Sequence, residues 1–134
     1  MNVKRFKAAA VLASPMLFDK EKTLAKVIGI AEEAAGEGAR LIVFPETFIP
    51  SYPWWIWMAV NNPKRLELYR NLHEESIPVP GPEIDLLSRT AERLRLFMVI
   101  GINERDGGTL YNSQVFIDER GRLVGKRRKL IDRK

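Results

Sequence analysis

The sequence predicts an α/β chain in which a helix bridges two parallel strands and an antiparallel meander follows. Three observations predict it. Two compact apolar runs, residues 6–13 (FKAAAVLA) and 41–44 (LIVF), flank a stretch whose apolar residues recur at helical spacing. A strand, helix, strand order of this length implies a parallel pair with a right-handed crossover. Towards the C-terminal end, strand-like runs alternate with glycine-bearing turns, the pattern of antiparallel pairing.

Residues 6–13 read as a first strand buried on both faces, because the run is short and almost wholly apolar. Asp19 is placed to cap a helix whose face is Leu24, Val27, Ile28, Ala31, Ala34 and Ala35, and Gly36 and Gly38 mark its end. Residues 41–44 form the second strand. Pro45, Pro50, Pro53 and Pro63 then punctuate a segment containing Tyr52, Trp54, Trp55 and Trp57, which predicts an irregular loop. Residues 64–75 suit a helix, and Pro82 opens another with Ile84, Leu87, Ala91 and Leu94 on one face. Residues 97–102 read as a buried strand. Asp106, Gly107 and Gly108 supply a hairpin turn into a returning strand over 110–118, and Gly121 helps turn the chain into 122–126.

No repeat, low-complexity tract or flexible linker interrupts the 134 residues, so residues 1–134 read as one domain or part of one. With 46% hydrophobic and 29% charged residues, the chain has enough apolar content for a core. Its longest apolar run falls short of the ~20 residues needed to cross a bilayer, which predicts no membrane partner and a cytoplasmic protein. The absence of cysteine excludes disulfides and thiolate zinc sites, and a single histidine, His73, leaves no paired-histidine ligand spacing. No metal and no cofactor are expected.

The net charge of +5 arises from 22 basic and 17 acidic residues, with a concentration in Lys126, Arg127, Arg128, Lys129, Arg133 and Lys134. No aromatic residue interleaves this run, as base stacking would need, so nucleic acid is not the expected partner. One ammonium of the run, facing inward, could stabilise a developing negative charge, with its pKa lowered by its like-charged neighbours. The alternative is a solvated basic face. Glu46 directly follows the second strand, where open α/β sheets present their strand ends to ligands. Among Pro45, Phe48, Tyr52 and the tryptophans it is expected to be poorly hydrated, with a raised pKa suited to a general base. The same position also suits a helix cap or a surface ion pair.

The segment Phe44-Pro45-Glu46-Thr47-Phe48-Ile49-Pro50-Ser51-Tyr52-Pro53-Trp54-Trp55 resembles the surroundings of the catalytic glutamate in nitrilases. The stretch from Gly101 to Gln114, GINERDGGTLYNSQ, resembles a hairpin of that family. Gly125-Lys126-Arg127-Arg128-Lys129-Leu130 resembles the segment bearing its catalytic lysine. The three motifs keep their order and span essentially the whole chain. The resemblance implies the N-terminal portion of a nitrilase-like αββα sandwich acting on a small nitrile or amide. It implies a Glu–Lys–Cys mechanism in which Glu46 is the general base and Lys129 stabilises tetrahedral intermediates. Arg127 and Arg128 would be structural neighbours of that lysine. Tyr52, Trp54 and Trp55 would shape the substrate pocket.

The family's lysine motif usually continues into a Pro-Thr pair and, later, a cysteine; here Leu130 is followed by Ile131-Asp132-Arg133-Lys134. No serine lies in a Gly-x-Ser-x-Gly elbow that might replace the thiol. The expectation is a chain truncated before its nucleophile and inactive alone. Open strand edges would then favour a homo-oligomer or pairing with a complementing fragment. The other reading is a non-catalytic interaction module. Glu46 and Lys129 are expected within hydrogen-bonding distance or one bridging water, with fraying at residues 131–134 before anywhere else.

Overall fold

The computed structural model describes residues 4–130; the expected fraying at 131–134, and the Arg133 and Lys134 end of the basic run, lie outside the described residues. Strand β1 (Lys7–Ala10), helix α1 (Lys20–Gly36) and strand β2 (Ala39–Val43) form the expected crossover unit. After a long loop containing one turn of 3-10 helix (Trp54–Trp57) come α2 (Pro63–Glu75) and α3 (Pro82–Leu94). Strands β3 (Phe97–Asp106), β4 (Thr109–Ile117) and β5 (Leu123–Arg128) complete the element order. The sheet order is β1-β2-β3-β4-β5, parallel between the first three strands and antiparallel between the last three.

Local chemistry sets the element ends. The Asp19 carboxylate accepts from the Lys22 N–H at 2.9 Å, satisfying a first-turn donor of α1. Pro82 stands in the first turn of α3, where its missing N–H costs nothing, and Arg95 ends that helix at φ 51°. Gly107 takes φ 58° in the two-residue turn between the paired Asp106 and Thr109.

Helices α1 and α3 cover one face of the sheet. Leu24, Val27 and Ala31 of α1 and Ile84, Leu87 and Ala91 of α3 pack against Ile42, Met98, Ile100, Ile102, Val115 and Ile117. Each large side chain so buried contributes about 1.5–3 kcal/mol before conformational entropy is counted, which makes this layer the main stabilising element. No helix among the described residues is long and apolar enough to cross a membrane.

The first strand departs from expectation. It is shorter than residues 6–13, and it is largely exposed, with Phe6 58% and Leu12 fully accessible. The reason is its place at the sheet edge, where one side lacks a neighbour and the face opposite the helices is open among the described residues. Apolar composition signalled a strand but could not say how many layers cover it. On that second face lie Val43, 36% exposed, and the half-buried Val99 and Phe116.

Candidate active site

The position of Glu46 follows from a local interruption of the sheet. The Phe44 N–H donates to the Val99 carbonyl at 2.8 Å, and the Ile49 N–H donates to the Gly101 carbonyl at 3.3 Å. Residues 45–48 therefore leave the ladder and return to it, crossing β3 at Gly101. A β-carbon on Gly101 would lie 2.2 Å from the Pro45 carbonyl oxygen and 2.7 Å from the Glu46 Cα, so only glycine admits this crossing. Thr47, at φ 47°, turns the excursion back. Its return is held by the Asn103 N–H, which donates to the Ile49 carbonyl at 2.8 Å, and by Asn103 Nδ2, which donates to the Ser51 carbonyl at 2.8 Å.

Glu46 meets the end of β5 here. Lys129 Nζ donates to Glu46 Oε1 at 2.5 Å across 83 residues of sequence, and Asn112 Nδ2 donates to the same oxygen at 2.5 Å. The Lys129 N–H in turn donates to the Asn112 carbonyl at 2.7 Å, tying the lysine backbone to the strand that supplies the amide. The expected closeness of Glu46 and Lys129 is found. Together with Ser113, Gln114 and Arg127 these residues line an open cavity of about 370 Å³.

Two electrostatic expectations are corrected. The Glu46 side chain is 44% exposed, and the Lys129 ammonium followed by the Asn112 amide holds its carboxyl below the ordinary range; it is not raised by burial. Lys129 is shifted upward, not lowered, first by its hydrogen bond to Glu46 and then by the charge of that carboxylate, with desolvation opposing them. Both groups are thus charged at neutral pH. The sequence suggested the opposite because it shows aromatic neighbours but not that most of them face elsewhere.

Those aromatic residues are dispersed. Tyr52 and Trp54 are exposed and neither lines the cavity, although the Tyr52 phenol lies near enough to Lys129 to contribute to that lysine's upward shift. Trp55, expected in the pocket, is fully buried: its ring meets Tyr69 of α2 edge-on at 4.4 Å, and its indole N–H has no partner among the described residues. That packing pins the loop to α2 and keeps Trp55 out of reach of a molecule in the cavity. Among the described residues, no group of three metal-ligating side chains is assembled.

Asn112, Gly101 and Asn103 are the residues that sequence reasoning passed over. Asn112 had a readable signal, since an amide within a run of strand residues is disfavoured unless it has a specific partner. Gly101 had one too, a glycine inside an apolar strand, which marks a close backbone approach.

Comparison with known proteins places this arrangement. An amidase from Nesterenkonia sp. superposes with a TM-score of 0.66 at 19% identity, over 96% of this chain and 45% of that one, a likeness of fold. In sequence, the chain is 40% identical over 129 residues to a nitrilase of Bacillus sp. (strain OxB-1), covering 96% of this chain and 38% of that protein. It is 43% identical over 125 residues to an aliphatic nitrilase of Rhodococcus rhodochrous, covering 93% of this chain and 34% of the relative. The chain thus spans little more than a third of the length of these relatives. The sequence profile described as carbon-nitrogen hydrolase matches residues 7–132. With the profile running through both the Glu46 excursion and the end of β5, the chain belongs to the carbon-nitrogen hydrolase family.

Proposed function

We propose that this chain supplies the base and the electrostatic stabiliser of a nitrile- or amide-hydrolysing site that works by a Glu–Lys–Cys mechanism, with the cysteine contributed from outside these 134 residues. The observation that supports it is the 2.5 Å contact between Lys129 Nζ and Glu46 Oε1, made across 83 residues of sequence by the segments that follow β5 and β2. The relatives named as nitrilases favour a nitrile.

The chemistry follows from the two charge states. Ionised Glu46 takes the proton of the incoming thiol as sulfur bonds to the nitrile carbon, and passes it to the nitrogen, giving a covalent thioimidate. Water adds to that carbon, the tetrahedral species expels ammonia, and a second water releases the carboxylic acid and restores the thiol. The Lys129 ammonium stabilises the negative charge that develops at each addition. Asn112 holds the carboxylate for this work, and Tyr52 and Trp54 form the outer approach.

Alone, without cysteine, the chain is expected to release no ammonia from nitriles or amides above a Glu46→Gln control. The positive test is a chimera in which this chain replaces the matching segment of the Bacillus nitrilase. Ammonia release should fall by about 10²–10⁴ in Glu46→Gln and in Lys129→Met. An active chimera indifferent to both substitutions would overturn the reading.

A second reading rests on the open sheet face with Val43 exposed. Such a surface favours association with a complementing segment or a second copy. Size-exclusion chromatography at rising concentration checks it, and a monomer throughout would count against self-association.

A further inference from the structure

Strand β5 ends in Lys126-Arg127-Arg128 and Lys129 follows it, so four successive residues are cations. Such a run carries no polar and apolar alternation, so nothing in its own pattern says which residues face which side of the sheet. A slip of one position would exchange the two sets of cations between the faces. Neither is the register set by burial, because Leu123 and Val124 of this strand are exposed. Among the described residues β5 is an edge strand with only β4 to pair with, and that ladder is irregular at Phe116/Ile117.

What distinguishes the two sets is a carboxylate on the helix-covered face. Glu104 of β3 is 1% exposed. Its Oε1 accepts from Lys126 Nζ and from Arg128 Nη2, the latter at 2.8 Å. Its Oε2 accepts from Ser113 Oγ at 2.6 Å and from Arg128 Nε at 3.1 Å. The Arg128 guanidinium also donates to Asp106 at 2.8 Å and lies 3.6 Å above the Tyr111 ring. This geometry accepts the fork of an arginine at position 128 and a cation at 126, and it leaves 127 and 129 on the opposite face.

We propose that Glu104 is a positioning residue that fixes the register of β5 through Lys126 and Arg128, and thereby presents Lys129 to Glu46. The functional importance of this register rests on reading Glu46 and Lys129 as the reacting pair, but the register itself does not.

The test uses the chain as it stands. Side-chain NMR titration of Glu46 and Lys129, with amide hydrogen exchange at Lys129, is compared in the parent, Glu104→Gln and Arg128→Ala. Arg128→Lys is the conservative variant, and Leu87→Ala is a core-destabilising control. In Glu104→Gln and Arg128→Ala, Glu46 should titrate higher and Lys129 lower than in the parent, and the Lys129 amide should exchange at least about tenfold faster relative to β3 amides. Arg128→Lys should restore part of the effect, and Leu87→Ala should move neither titration. Unchanged Glu46 and Lys129 titrations in folded Glu104→Gln would overturn the proposal. So would failure of both clamp variants to fold, since a positioning residue is one whose loss the fold survives. Failure of the catalytic reading would instead show only in the chimera, leaving these spectra as described.

Discussion

Glu46 and Glu104 lie on opposite faces of one sheet and each binds cations of the run 126–129 in and just after β5, yet their surroundings differ in kind. Glu104 is nearly inaccessible; its burial alone would raise its pKa, but hydrogen bonds from Arg128, Lys126 and Ser113 reverse that and bring it down to about 2. Glu46 is 44% exposed on its side chain, beside an open cavity, and is held by one lysine and one amide on a single oxygen. Its second oxygen makes no hydrogen bond among the described residues. The saturated carboxylate is suited to holding structure and the unsaturated one to exchanging partners, which is what a proton-transferring group must do.

The comparison breaks most readily at Glu104. Glu104→Ala should destabilise the chain by about 3 kcal/mol in urea unfolding, because it leaves two cations facing a site without their anion. A loss no larger than that of an exposed charge would show that the buried cluster is not structural. Acid tests the same group. Its folded pKa lies below its ordinary value of 4.5, so its contribution is fully present above about pH 4.5 and is lost as pH falls towards about 2. The contribution is at most about 3 kcal/mol, since Lys126 and Arg128 reach solvent. In Glu104→Gln this acid dependence should flatten.

A smaller effect, about 2 kcal/mol, is expected of Gly101→Ala, whose β-carbon meets backbone atoms of the Glu46 excursion that cannot step aside without moving the site. The Lys129–Glu46 contact should be lost with it, seen as a rise in the Glu46 titration midpoint. The least effect on stability is expected of Glu46→Gln, which should leave the urea midpoint within error, because an exposed pair contributes little. A large destabilisation there would make Glu46 a structural residue like Glu104.

Much of the architecture was legible because it rests on periodicity and turn chemistry. The apolar face of α3 and the Gly107 turn could be read directly. The meeting of Glu46 with Lys129 was expected from the roles the family resemblance implies, since a base and a stabiliser must reach one reacting carbon. What could not be read depends on what lies across a face. The exposure of Phe6 and the hydration of Glu46 are set by layers and crossings that a linear pattern does not encode. Trp55 is a similar case, since an aromatic residue fits a pocket wall and a core equally well, and only its contact with Tyr69 decides between them. The run Lys126 to Lys129 is the extreme example, four cations whose facing is settled by a glutamate more than twenty residues earlier.

The most direct test of the Glu46–Lys129 pair is the carboxyl titration of Glu46, followed by NMR in the parent chain and in Lys129→Met. The account predicts a midpoint below the ordinary carboxylate range in the parent and a clear rise once the ammonium is removed. Superimposable titration curves in the two proteins would contradict it, because Glu46 and Lys129 would then not share one site in solution.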